Sequence, residues 1–435
     1  MYSEYIDKNY EPDLKNDIIA VFRIKPAEGF SIEDAAGAIA SESSTGTWTS
    51  LSSWYDAERV IKLSAKAYEF INIGDSYIVK VAYPIELFED GNISGLLASI
   101  AGNIFGMRRV KSLRLEDIYL PKKFLKNFKG PFRGKDIRKI FNIYDRPIVG
   151  TVPKPKVGYS PKEVERLAYE LLSGGMDYIK DDENLTSPSF CRFEERAKRI
   201  MKIIEKVESE TGEKKAWFAN VTADVREMEE RIKIVAEYGN PYIMVDVVIA
   251  GWSALTYVRD LAEDYGLAIH AHRAMHAAIT RNPYHGISMF VLAKLYRIIG
   301  TDQLHIGTAG YGKLEGKKWE VIQYARILRE NNYKPDENDV FHLPQDFYHI
   351  KSAMPVSSGG LHPGNIAGVI NALGSDIVIQ VGGGVLGHPD GAYAGAKAVR
   401  QAMDAIKQGI PLDEYAKEHK ELARAIEKWG FVTPI

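Results

Sequence analysis

Lys180 is followed at once by three acids, Asp181, Asp182 and Glu183, in a run from Gly175 to Asn184 that begins apolar and β-compatible. Three adjacent carboxylates repel one another, and inside a protein a cation among them relieves the repulsion. An all-oxygen donor set suits a hard ion. Mg2+ accepts one or two carboxylates and keeps other positions open for substrate oxygens. The stretch therefore predicts a metal site at the C-terminal mouth of a strand. The alternative is an acidic cap on the helix that follows.

Other chemistry-bearing residues fall at the ends of similar apolar runs. Lys154 and Lys156 alternate in a Pro-stiffened segment, so both ammonium groups face one side. His270 and His272 share a face by the same alternation, with Arg273 next. His305 precedes Gly310-Tyr311-Gly312-Lys313, where the flanking glycines suit a mobile lid. Ser358-Gly359-Gly360 and Gly382-Gly383-Gly384 close two further runs. Paired glycines let backbone N–H groups approach an anion, so these loops predict phosphate contacts.

The elements that must position these groups alternate between strand and helix from Pro147 onward. Eight strands are expected: 148–152, 177–180, 216–221, 242–248, 268–272, 304–308, 353–357 and 377–382. Amphipathic helices such as 161–172, 193–208 and 394–407 separate them. Eight such units predict a (β/α)8 barrel, with its active site at the C-terminal strand ends and phosphates at the last two loops. A doubly wound open sheet is the alternative. The segment 333–350 interrupts the pattern and reads as a surface excursion. Before the barrel, strand-like runs at 17–24 and 76–83 and a helix capped by Ser31 predict a smaller α+β domain. The expected domains are residues 1–130, the barrel at 131–410, and a helical tail at 411–435.

The formal net charge of −2 and the lack of a long basic run exclude a nucleic-acid surface. The single cysteine, Cys191, permits no internal disulfide, as expected of a reducing cytoplasm. No signal peptide and no membrane-spanning run is expected.

Several longer motifs carry a resemblance. They are Glu42-Ser43-Ser44-Thr45-Gly46-Thr47-Trp48-Thr49, Gly102-Asn103-Ile104-Phe105-Gly106, Lys154-Pro155-Lys156, the Gly174–Asn184 run and His272-Arg273-Ala274-Met275-His276. Gly312-Lys313-Leu314-Glu315-Gly316 and the two glycine loops complete the set. With them the chain resembles the large subunit of ribulose-1,5-bisphosphate carboxylase/oxygenase (RuBisCO), archaeal form III type. The resemblance implies that Lys180 reacts with CO2 to give a carbamate that joins Asp182 and Glu183 on Mg2+ and takes the C3 proton of ribulose 1,5-bisphosphate. It implies catalytic roles for Lys154, His272 and Lys313, with Lys156 beside the substrate. Arg273, His305 and Ser358 would hold one phosphate. Gly360, Gly382, Gly383, Thr47 and Trp48 would hold the other phosphate, Gly359 and Gln380 would also contact substrate, and Glu42 and Asn103 would complete a neighbouring subunit's site. The implied partners are CO2 and O2, in a homodimer or decamer of dimers without a small subunit. The implied pathway is salvage of nucleotide-derived ribose phosphates. The loop from His305 to Lys313 is one residue longer than in the plant enzymes. The rival reading within the resemblance is a RuBisCO-like enolase or isomerase acting on another phosphorylated sugar.

Overall fold

Ten consecutive residues rich in β-branched and aromatic side chains make Asp17–Pro26 the central strand of the first sheet. The computed structural model describes residues 2–47, 49, 51–313 and 316–432. Trp48, an expected substrate contact, lies outside the described residues, as do Leu314 and Glu315. Strands β1 (Asp17–Pro26), β2 (Lys66–Asn72), β3 (Tyr77–Pro84) and β4 (Val110–Tyr119) join the short strand Gly286–Ile287 in one sheet. Its order is Gly286–Ile287, β4, β1, β3, β2. The helix Ile32–Glu42 starts with a capping box in which Ser31 Oγ accepts from Asp34 N and the Asp34 carboxylate accepts from Ser31 N. The third helical position is Asp34.

This sheet belongs to a compact unit made of Met1–Gly130, Met275–Ile298 and Glu330–Ile350. The segment 333–350 is therefore not a surface excursion. Tyr333 and Phe347 are fully buried, and Leu343 packs with Ile19, Val21 and Ile78. Its backbone is held too, since Asp117 accepts from Leu343 N. The sequence reading missed this because the segment's apolar side chains cover a sheet that lies far away in the chain.

The second unit is Pro131–Ala274, Ile299–Arg329 and Lys351–Ile435. Its eight strands are β5 (Ile148–Thr151), β6 (Tyr178–Lys180), β7 (Ala216–Asn220), β8 (Tyr242–Asp246), β9 (Ala268–His272), β10 (Gln303–His305), β11 (Met354–Ser358) and β12 (Val378–Gln380). All are buried along their length except for the half-buried last residues of β9 and β11, His272 and Ser358. Strands covered on both faces belong to a parallel sheet. The sheet closes, in the order β10-β11-β12-β5-β6-β7-β8-β9, through pairing of Gln303 with His270. Closure rules out the open-sheet alternative.

The barrel is filled, not hollow. Tyr178 stacks on Phe218 at 3.9 Å, and Phe218 meets Tyr242 at 4.2 Å between ring centroids. The Tyr178 ring requires glycine at 150, where a Cβ would lie 2.4 Å from it. Three strands end two or three residues earlier than the sequence suggests. A helical turn Val247–Ala250 stops β8, and Gly307 at φ 104° turns the chain after β10. Gly382, at φ −95° and ψ −89°, leaves extended geometry after β12. The tail helices Leu412–Ala416 and Lys420–Trp429 pack through Leu412, Ala416 and Leu422 against Ala402 and Ala405 of the last barrel helix. Among the described residues no helix is long and apolar enough to cross a membrane.

Candidate active site

Strand alternation sends Tyr178 and Lys180 to the barrel interior and Asp181 to the other side. Asp181 accepts there from Arg196 Nη2, Trp217 Nε1 and Asn220 N, each at 3.0 Å. It is a structural anchor, so the acidic triplet contributes only two carboxylates to the mouth. Asp182 lies 2.6 Å from Lys154 Nζ, and Glu183 lies 2.6 Å from Lys156 Nζ. Although burial opposes it, the charges of Lys180 and His272 and the hydrogen bond from Lys156 hold the Glu183 carboxyl well below the usual carboxylate range. Lys180 is 1% exposed and donates to Asp181 O at 2.6 Å. Burial pushes its amine below the ordinary lysine value, against the pull of Glu183 and Asp182.

On the far side of the mouth, His272 Nδ1 lies 2.9 Å from Asp246 Oδ1, and its Nε2 is 3.7 Å from Glu183. Burial lowers the His272 pKa despite the Asp246 partner. His305 sits edge-on to His272 with 4.8 Å between ring centroids and meets Ser358 Oγ at 2.7 Å. The Arg273 guanidinium lies against Gly307, where a Cβ would be 3.3 Å from Nη2.

The two glycine loops flank these groups. Lys313 is exposed, and its backbone N–H donates to Gly359 O at 3.0 Å. Asn365 Nδ2 bridges Tyr311 O and Gly360 O, so the loop after β10 rests on the loop after β11. Gly312 permits that contact, because a Cβ there would lie 2.0 Å from Gly359 O. Gly312→Ala is therefore expected to lift Lys313 off this seat and lower kcat/KM by roughly 10- to 100-fold at nearly unchanged melting temperature. Steady-state kinetics beside a thermal melt would check it. Gln380 Oε1, at the end of β12, is buried without a hydrogen-bond partner, and Gly383 has open space where a Cβ would stand.

Among the described residues no group of three or more His, Cys, Asp and Glu side chains is arranged to hold a metal ion. The donor chemistry nevertheless fits Mg2+. Asp182 and Glu183 are oxygen donors that already attract two ammonium groups, and Lys180 beside them would supply a third oxygen donor once carboxylated.

The first unit holds the remaining expected residues. Glu42 and Asn103 are both exposed and meet at 3.4 Å, and Thr47 is exposed nearby in sequence.

Known proteins place this arrangement. The model of the ribulose bisphosphate carboxylase large chain catalytic domain matches residues 135–429, and that of its N-terminal domain matches residues 4–124. The chain belongs to the ribulose bisphosphate carboxylase large-chain family. It is an enzyme of that family, similar to the ribulose bisphosphate carboxylase of Archaeoglobus fulgidus at 75% identity over 100% of this chain and 99% of that one. An archaeal Rubisco crystal structure is similar with a TM-score of 0.95 and 70% identity, covering 99% of this chain and 100% of that one. The dimeric archaeal Rubisco of Hyperthermus butylicus gives 0.94 and 56%, with 99% and 100% covered.

In this carboxylase-family site the structure adds residues that the sequence reading passed over. Asp246 orients His272, and a lone acid inside an apolar run was its available signal. Asn220 Nδ2 holds the carbonyls of Asp182 and Glu183, and Arg196, fully buried, pairs with Asp181. Their partners come from neighbouring strands and helices, so no local motif marks them.

Proposed function

We propose that the enzyme adds CO2 to ribulose 1,5-bisphosphate to give two 3-phosphoglycerates, with an oxygenase side reaction, in salvage of nucleotide-derived ribose phosphates. The observation that carries this reading is the buried Lys180 amine, depressed in pKa beside the carboxyl groups of Asp182 and Glu183. A neutral amine is the form that attacks CO2. As the N–C bond forms, one C=O bond opens to a carboxylate, the nitrogen releases one proton, and the product is a carboxylated lysine. Lys180 in that form, with Asp182 and Glu183, would hold Mg2+. When bound, the ion supplies Lewis acidity toward the substrate's oxygens and holds them in register.

The remaining roles belong to the chain's own groups. Lys154 Nζ, beside Asp182, is placed to deliver a proton to the product. His272, oriented by Asp246, serves as a second acid–base group. Lys156 supports the site next to Glu183, and Lys313 closes over the substrate from the loop after β10. Arg273, His305 and Ser358 contact one phosphate. Gly359, Gly360, Gly382, Gly383 and Gln380 contact the other end of the substrate. Thr47 and Trp48 also contact that other end, and Glu42 and Asn103 complete the site of a second copy, in a homodimer or decamer of dimers.

Incubation with Mg2+, labelled bicarbonate and ribulose 1,5-bisphosphate should give acid-stable label in 3-phosphoglycerate. Turnover of the sugar without label would overturn the reading. Activation should also depend on pH in a defined direction. Only neutral Lys180 reacts, so at fixed dissolved CO2 the activation rate should climb about tenfold per pH unit and level off below free lysine's pKa. Timed preincubation before the assay measures this.

A further inference from the structure

Behind the mouth runs a file of hydrogen bonds that the proposed mechanism does not use. Gln303 Nε2 donates to the Tyr242 hydroxyl at 3.0 Å, and Gln303 Oε1 lies 2.7 Å from His270 Nδ1. His270 Nε2 is 2.8 Å from His305 Nε2, and His305 Nδ1 is 2.7 Å from Ser358 Oγ. Tyr242, His270 and Gln303 are fully buried, so water does not share these bonds.

Two imidazole nitrogens 2.8 Å apart cannot both carry protons, and one must donate while the other accepts. Burial first, and nearby positive groups second, push both pKa values well below the ordinary imidazole value, so both rings are neutral. Lys180, His272 and Arg273 are those positive or titratable neighbours. Every member of the file can donate or accept, so the bonds have two self-consistent directions, set by the Gln303 amide.

In the direction with Gln303 Oε1 toward His270, His270 Nδ1–H donates to the amide and His305 Nε2–H donates to His270. Ser358 then donates to His305 Nδ1, and its oxygen turns only lone pairs outward. An anion meeting this edge finds acceptors. With the amide turned over, Gln303 Nε2–H donates to His270 Nδ1 and Gln303 Oε1 accepts from Tyr242. His270 Nε2–H donates to His305 Nε2, His305 Nδ1–H donates to Ser358 Oγ, and the Ser358 hydroxyl becomes a donor toward the mouth. Each imidazole and Ser358 carries one proton in either direction, so the reversal takes up none overall.

We propose that Gln303 and His270 are positioning residues whose hydrogen bonds select the His305 tautomer, and that a phosphate-like dianion at the His305–Ser358 edge selects the outward-donating direction. This rests on reading that edge as a substrate phosphate contact. Neither residue touches substrate. Both act through His305.

The tautomer is read directly by 15N NMR of protein labelled at histidine, with signals assigned by single histidine replacements and sulfate as the dianion. In the wild-type enzyme His305 should carry its proton on Nε2 without sulfate and on Nδ1 at saturating sulfate. Gln303→Leu should give a mixture of tautomers in both conditions. It should also raise KM for ribulose 1,5-bisphosphate about tenfold with kcat within roughly threefold, the loss of one buried hydrogen bond. Gln303→His, which can again donate or accept, should restore KM. A wild-type His305 tautomer indifferent to sulfate overturns the inference whether or not the variants fold. So does a Gln303→Leu enzyme with unchanged KM. If the wild type failed to carboxylate ribulose 1,5-bisphosphate, the functional reading would fall while the sulfate arm still reported on the file.

Discussion

Replacing Lys180 with alanine is expected to lower carboxylation by about three orders of magnitude or more while leaving the fold intact. The side chain is 1% exposed, and its amine donates to the carbonyl of Asp181. Removing it leaves that carbonyl without this donor and leaves Asp182 and Glu183 with their lysine partners Lys154 and Lys156. It also removes an ammonium that burial disfavours. The melting temperature should therefore stay within a few degrees of wild type. Lys180→Arg should be as inactive, since a guanidinium does not add CO2 at neutral pH. An alanine variant that kept a tenth of wild-type turnover would remove Lys180 from the centre of the proposed chemistry.

The second large effect concerns stability. Asp181→Ala should destabilise the barrel by about 3–5 kcal/mol, because it leaves the charge of a fully buried Arg196 guanidinium without its carboxylate partner. The Trp217 indole N–H and the Asn220 backbone N–H lose their acceptor in the same step. Activity should fall as well, since Asn220 holds the backbone of Asp182 and Glu183. Asp182→Ala should do the reverse and abolish activity at little cost in stability, because its partner Lys154 remains half-buried and can turn to water. Denaturant midpoints and turnover for the two variants, compared side by side, test the contrast. Equal losses of stability would show that the two acids share one role.

That contrast marks how far the local sequence reaches. The run Lys180–Glu183 announces a cation site by composition. Strand alternation alone already separates Lys180 from Asp181, because neighbours in a strand face opposite sides. The sequence reading grouped all three acids, since nothing local shows that Arg196, Trp217 and Asn220 wait behind Asp181. Likewise Tyr333–Ile350 reads as an exposed connection until Leu343 is seen packed on Ile19, Val21 and Ile78. Asp246 ends an apolar strand and Gln303 opens a short mixed one, and both look like incidental polar residues. Their meaning comes from His272 and His270 on the adjacent strand.

The amino-acid sequence by itself determined the periodicities, and with them the eight strand–helix units, the glycine-bearing loops after the last strands and the identity of the groups at the strand ends. Those are local properties, fixed by side-chain alternation and backbone freedom. Tertiary structure alone decided that the sheet closes and which acid faces inward in company with which lysine. It also decided that a buried amide stands behind His305. These depend on partners tens to hundreds of residues apart, which only the closed barrel brings within hydrogen-bond distance.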